Sequence, residues 1–317
     1  MTRTPSGKLR ILITGRDGQV GSELVRSMGS LGVLKATTRT ELDLASDESI
    51  AAAVRTFKPD LIVNAAAYTA VDKAESEPEL AGRINCQAVA TLAAEAKSVG
   101  AAVIHYSTDY VFDGAKTSPY REEDVTNPLS VYGKTKLAGE QALAAAGVPY
   151  LVLRTSWVYG ATGKNFLLTI LKLAQQKPEL RIVADQSGAP TWSRDIAEAT
   201  AVLAAEWLPA HENSGVFHLT ARGSTTWHGF ASQAIRLLSA VHPDRAEKLA
   251  RLIAISTAEY PTAAVRPKNS QLDCSRLAAA FHCRLPEWSD SLAKVMEEYE
   301  VSDDAAANRR LPVAQEN

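Results

Sequence analysis

The sequence predicts an α/β fold, a doubly wound parallel sheet with a smaller C-terminal lobe, and three features carry that expectation. Short apolar runs alternate with helical stretches through the first half, the pattern of parallel strands joined by crossover helices. A glycine-spaced turn, Gly15 to Gly21, directly follows the first apolar run. After Ser156 the alternation loosens into turn-rich connections, which predicts a second lobe woven from late segments.

Taken in order, Leu9–Thr14 reads as a buried strand and Gly18 to about Met28 as a helix, with Val20, Leu24 and Val25 near one face. Val33–Thr38, Leu61–Asn64 and Val103–Ser107 read as the next strands. Between them, Ser46–Phe57 and the alanine-rich Pro78–Val99 have helical composition, with Ser46 a candidate cap. Leu129–Ala146 reads as a further helix before the strand Tyr150–Thr155. Beyond it, Asn165–Gln175, Ile196–Glu206 and Trp227–Leu238 read as helices and Val216–Leu219 as a strand. The expected division is a free N-terminus over 1–8, a dinucleotide-binding unit over 9–160 and a substrate lobe over 161–300. Segments of that lobe return to the sheet, and a disordered tail follows over 301–317.

A chain of 317 residues with 46% hydrophobic and 22% charged residues suits a well-filled core. A formal net charge of −2 offers no basic field for nucleic acid. Residues 1–8 lack the apolar core of a secretory signal, and no apolar run approaches the roughly 20 residues of a membrane span. Cys86, Cys274 and Cys283 show no metal-ligand spacing and read as reduced thiols, so the expected compartment is the cytoplasm. The histidines, among them His105, His218 and His228, read as structural.

Gly15-Arg16-Asp17-Gly18-Gln19-Val20-Gly21 sits between the first strand and the first helix. One glycine allows the tight turn, a second lets backbone approach a pyrophosphate, and a third permits close helix–sheet packing. The helix start offers unpaired N–H groups to the anion. Thr38 and Arg39, rather than an acidic residue, end the second strand. Arg39 favours a 2′-phosphate, so NADPH is expected and NADH is the alternative. Asp43-Leu44 is placed to meet an adenine.

Tyr132 and Lys136 lie four apart in the expected helix and therefore share a face. Ketone reduction needs a proton donor, which a phenol supplies, while a neighbouring ammonium stabilises the phenolate and lowers its pKa. The fourth strand runs into Ser107-Thr108-Asp109-Tyr110, bringing a hydroxyl to the carboxyl edge where parallel sheets bind ligands. Thr108 can donate to the same carbonyl oxygen.

The motifs Val63–Glu75, His105–Phe112, Val131–Glu140, Arg154–Tyr159, Asp185–Thr191 and Arg266-Pro267 with Asn269-Ser270 resemble the extended short-chain dehydrogenase/reductases. Within them the resemblance is to the dTDP-4-dehydrorhamnose reductase family, from about Arg10 to Tyr299. That resemblance implies reduction of the C4 keto group of dTDP-4-dehydro-β-L-rhamnose by NAD(P)H. It also implies Thr108, Tyr132 and Lys136 as the catalytic set. Gly15, Gly18, Gly21, Ala65, Ala66, Ala67 and Asn85 would form the cofactor surround. Tyr110 and Trp157 would wall the sugar pocket beside Asp109, with Asn165, Gln186 and Arg266 gripping the sugar nucleotide. Some family members hold Mg²⁺ at a homodimer interface through glutamates. Glu23 and Glu298 are the candidates here, read as solvated charges, and Arg194 stands where a further glutamate is expected, against a cation.

Thr108 is followed by Asp109-Tyr110 rather than Asp-Glu, which disfavours a dehydratase. A related epimerase remains open. So does a nucleotide-binding regulatory subunit, such as that of methionine adenosyltransferase, which would keep the fold without turnover.

Overall fold

The computed structural model describes residues 8–241, 243 and 249–308, with side chains to residue 299. Residues 1–7 of the N-terminus expected over 1–8, and the final segment 309–317, lie outside these residues. Strand β1 (Leu9–Thr14) pairs in parallel with β2 (Gly32–Thr37) and β3 (Leu61–Asn64). Next to β3 come β4 (Ala102–Thr108) and β5 (Tyr150–Thr155), also parallel. These strands begin or end within one residue of expectation, and apolar residues on both faces explain why.

Helices α1 (Gln19–Ser27) and α2 (Asp47–Phe57) follow the first two strands. Ser46 caps α2 by accepting from the Ser49 N–H at 3.1 Å. Beyond β3 come α3 (Val71–Ala74), α4 (Pro78–Gly82) and α5 (Ala88–Val99), with a π-helical turn at Arg83–Gln87 joining the last two. The single helix expected over 78–99 is therefore widened in its middle. Helix α6 (Val131–Ala145) starts at Ser130, whose hydroxyl accepts from the Gly133 N–H at 3.1 Å.

The second half contributes β6 (Val158–Tyr159), α7 (Phe166–Ala174), β7 (Glu179–Val183), β8 (Ser187–Gly188) and β9 (Thr191–Trp192). It continues with α8 (Ser193–Trp207), β10 (Gly215–His218), β11 (Thr225–Thr226), α9 (Trp227–Val241) and β12 (Arg251–Ile255). Helices Ser275–Phe281 and Trp288–Asn308 close the described chain. The last runs eight residues into the stretch expected as tail. Ala305, Ala306 and Ala307 are strong helix formers, and propensity extends a helix without an apolar stripe.

The main sheet is six-stranded in the order β10-β5-β4-β3-β1-β2, so its last strand returns from the second half. One face is covered by α1, α8 and helix Ser275–Phe281 around Ile11, Ile13, Ile104 and Leu153. The other carries α2, α5 and α6 around Leu12, Ile62, Val103 and Val152. Separate apolar clusters centre on Tyr159, Trp192, Phe230 and Leu292, and on Ile170, Leu180 and Ala231. Arg154 on β5 pairs with Glu140 on α6 at 2.7 Å, both nearly inaccessible, and pins α6 to the sheet.

Candidate active site

At the carboxyl edge of the sheet, β1 ends in a turn that only glycine fits. Gly15 adopts φ +72°, and a Cβ there would sit 3.0 Å from Ala66. A Cβ on Gly21 would lie 2.0 Å from the Gly15 carbonyl oxygen, so the third glycine permits the close helix approach that the spacing implied. Gly18 is the N-cap of α1 and has no side-chain capping bond, and the first turn of that helix holds no acidic residue. Those features leave its N–H groups facing the turn. Gln19 and Val20 open the helix. The Gln19 Oε1 is buried without a hydrogen-bond partner, and Val20 packs on the sheet.

Around this turn Asp17 is exposed beside Arg16, at 3.6 Å. Arg39 is exposed and 4.0 Å from Asp43, whose carboxylate also accepts from the Ala45 N–H. Arg16, which sequence reasoning passed over, also reaches the end of β2, donating to the Ala36 carbonyl. Leu44 does not present its side chain to a ligand. It packs in the core with Leu42 and Ile50, so only its backbone is available. Asn85 is likewise spent. Its Oδ1 accepts from the Tyr68 N–H at 2.9 Å, and its Nδ2 donates to the Tyr68 carbonyl and to Thr135 Oγ1. It fixes the loop after Ala65, Ala66 and Ala67 to α6.

Thr108 and Tyr132 lie side by side, and Lys136 follows one turn after Tyr132 on α6. Thr108 ends β4, and its hydroxyl donates to Asp109 Oδ1 at 3.1 Å and accepts from the Tyr110 N–H at 3.2 Å. Burial pushes Tyr132 up to about 12, and the Thr108 hydroxyl beside it works in the opposite direction. The phenol is therefore raised rather than lowered as expected, because desolvation of the phenolate dominates. Lys136 Nζ instead donates to the Tyr106 carbonyl at 2.6 Å and lies 3.2 Å from His105 Nε2. Burial brings Lys136 down to about 8, against the opposing pull of Glu140 one turn on.

Tyr110 meets Tyr132 edge to face at 5.6 Å. Burial raises Asp109 to about 6, with the Ser270 and Thr108 hydroxyls offsetting part of the rise. Arg266 is not a free cation. Its guanidinium forks onto Asp72 at 2.7 and 3.1 Å, and that bond and the surrounding groups together more than offset the cost of its partial burial.

Trp157 holds a left-handed backbone (φ +48°), stacks on Trp227 at 3.6 Å, and packs on Gly188, where a Cβ would lie 2.5 Å from the indole. Trp227 was not singled out from the sequence, because a tryptophan at a helix start reads as packing. Gln186 is taken up by this pair: Trp227 Nε1 donates to its Oε1 at 3.2 Å and its Nε2 donates to Thr257. Asn165 is also committed elsewhere. It caps α7 through the Leu168 N–H and donates to the Gly160 and Thr162 carbonyls, which uses its whole amide.

Glu23 and Glu298 are not solvated charges. Arg194 on α8 lies between them, 3.2 Å from Glu23 and 2.9 Å from Glu298 through one of its contacts, and stacks over Trp192 at 4.5 Å. A guanidinium already neutralises the carboxylates that a divalent cation would need, so these residues do not fit Mg²⁺. Among the described residues no cluster of three or more histidine, cysteine or acidic side chains could hold a metal ion, and no helix is long and apolar enough to cross a membrane.

Comparison with known proteins accords with this geometry. A family model described as the RmlD substrate binding domain matches residues 9–301. The dTDP-4-dehydrorhamnose reductase of Burkholderia thailandensis is 48% identical over 284 residues, 88% of this chain and 95% of that protein. A crystal structure of a dTDP-4-dehydrorhamnose reductase from Clostridium acetobutylicum superposes with a TM-score of 0.85 at 36% identity, over 92% of this chain and 100% of that one. The Bacillus anthracis reductase, solved in complex with NADP, gives 0.83 at 31% identity, over 92% and 99%. The chain belongs to the dTDP-4-dehydrorhamnose reductase family.

Proposed function

We propose that this chain reduces the C4 keto group of dTDP-4-dehydro-β-L-rhamnose to dTDP-L-rhamnose, with Tyr132 as the proton donor. The nicotinamide cofactor, when bound, supplies the hydride that the ketone carbon accepts. The chain's own residues hold, orient and protonate. The turn of Gly15, Asp17 and Gly18, closed by the Gly18 N–H on the Gly15 carbonyl, presents the open start of α1 at Gln19, Val20 and Gly21 to a pyrophosphate. Ala65, Ala66 and Ala67 wall the turn.

Tyr132 gives its proton to the carbonyl oxygen as negative charge develops there, and Thr108 orients that oxygen. Lys136 steadies the phenolate left behind. Tyr110 and Trp157 offer aromatic faces to the deoxysugar, with Asp109 beside Thr108. Arg266, its fork held by Asp72, is the proposed diphosphate contact. Asn165 and Gln186 serve the walls rather than the substrate. NADPH is the favoured cofactor, because Arg39 and Arg16 both reach the end of β2, where a 2′-phosphate would lie. The compartment proposed is the cytoplasm. A metal-bridged homodimer is not proposed, because Arg194 takes the cation's place.

One observation carries the reading. A half-buried phenol and a buried threonine hydroxyl meet at the carboxyl end of β4, with an ammonium one helical turn on and the glycine turn at the same edge of the sheet. Purified protein mixed with the ketosugar should oxidise NADPH, and do so faster than NADH. Tyr132→Phe should cost about a hundredfold or more in kcat while dinucleotide affinity stays unchanged. Near-wild-type turnover in that variant would refute the role. Failure to oxidise either cofactor would favour the regulatory-subunit reading.

A further inference from the structure

His105 lies outside the catalytic set, yet it touches Lys136. The sheet register explains the contact. Thr14 pairs with Asn64 across β1 and β3, and Asn64 pairs with His105 across β3 and β4. All three sit on the face that carries Leu12, Ile62 and Val103, so their side chains form one row at the carboxyl edge. The Thr14 hydroxyl lies 2.6 Å from one end of the Asn64 amide, the other end lies 3.0 Å from His105 Nδ1, and His105 Nε2 lies 3.2 Å from Lys136 Nζ. The row begins at the glycine turn, where the Ala66 N–H donates to Thr14 Oγ1 at 3.2 Å. Each of these four side chains is at most 2% exposed. A face that otherwise buries leucine, isoleucine and valine thus carries a continuous polar line from the cofactor turn to the lysine.

We infer that His105, backed by Asn64 and Thr14, is a positioning residue that aims the Lys136 ammonium at the Tyr132 phenol and the cofactor. This rests on the role proposed above for Lys136. An ammonium has three donors and no acceptor. One N–H goes to the Tyr106 carbonyl and one to His105 Nε2, and the ammonium carries a third donor besides. For Nε2 to accept, the ring must be neutral with its proton on Nδ1; the Asn64 amide then presents its oxygen to that N–H and donates from its nitrogen to Thr14 Oγ1. Burial and the adjacent ammonium keep His105 well below the ordinary histidine range, so the ring does stay neutral. The charged or titratable groups beside Lys136 are His105 from β4 and Glu140 from α6, the last paired with Arg154 on β5.

The test compares His105→Leu, which fills the space without an acceptor, with His105→Gln, whose amide oxygen can accept. His105→Leu should lower kcat by about tenfold or more, and the alkaline limb of its kcat–pH profile should move to lower pH by about one unit, since a lost hydrogen bond destabilises the ammonium. His105→Gln should restore most of both. Asn64→Ala, one link back, should shift the limb in the same direction by less, and decides the matter if His105→Leu does not fold. An unmoved limb in folded His105→Leu, or equal losses in both His105 variants, overturns the inference. Lys136→Ala is measured alongside. If it turns over like wild type, the Lys136 role itself falls, whereas its inactivity beside an unaffected His105→Leu removes only the His105 role.

Discussion

Tyr132 and Lys136 are tuned by burial more than by each other. Desolvation raises the phenol to about 12 and lowers the ammonium to about 8, so both are pushed toward their neutral forms. The sign for activity follows directly. Tyr132 stays protonated across neutral and alkaline pH, whereas Lys136 is charged below about 8 and neutral above it. Turnover that needs the ammonium should therefore hold through neutral pH and fall as pH rises through about 8, in a single step. A kcat–pH profile flat past that point would show that the lysine's charge is not required.

At the level of the element, α6 is placed by its glycines as much as by its apolar residues. A Cβ on Gly133 would lie 2.2 Å from the Tyr110 carbonyl oxygen, and one on Gly139 would lie 2.1 Å from that of Asn85. The helix thus lies against the segment after β4 on one side and against the π-helical turn on the other. Alanine ordinarily stabilises a helix over glycine by about 1 kcal/mol. Here the obstacle is backbone, which cannot swing aside, so the clash wins. Gly133→Ala should cost roughly 2 kcal/mol or more, read as a fall in Tm, together with a loss of kcat as Tyr132 is displaced. A variant at least as stable as wild type and fully active would contradict this packing.

Across the whole molecule, Arg194 joins α1, α8 and the last helix through Glu23 and Glu298. Because the cation is covalently part of the chain, Tm should be insensitive to EDTA and to added Mg²⁺. Arg194→Gln leaves two partly buried carboxylates facing each other and should cost roughly 1–3 kcal/mol, seen in thermal unfolding. Wild-type protein that loses Tm in EDTA would show that a metal binds after all.

The first half of the fold was legible because its signals are local. Strand burial, the Ser46 cap, the spacing of Gly15, Gly18 and Gly21, and the four-residue step from Tyr132 to Lys136 each depend on neighbours in the chain. They therefore determined the sheet, the turn and the helix face that Tyr132 and Lys136 share. What each polar side chain spends its hydrogen bonds on is a different kind of fact. Arg266 finds Asp72 across 194 residues, Arg194 finds Glu23 across 171, and Lys136 finds His105 across 31. Asn165, Gln186 and Asn85 looked free in the sequence and are committed to walls and caps. Only sheet register and helix packing bring such partners within 3 Å or so, and only burial by distant segments moves the Tyr132 phenol opposite to what its neighbouring lysine alone would do. The sequence by itself determined which chemistry the chain carries; the tertiary structure decided which residues are left to perform it.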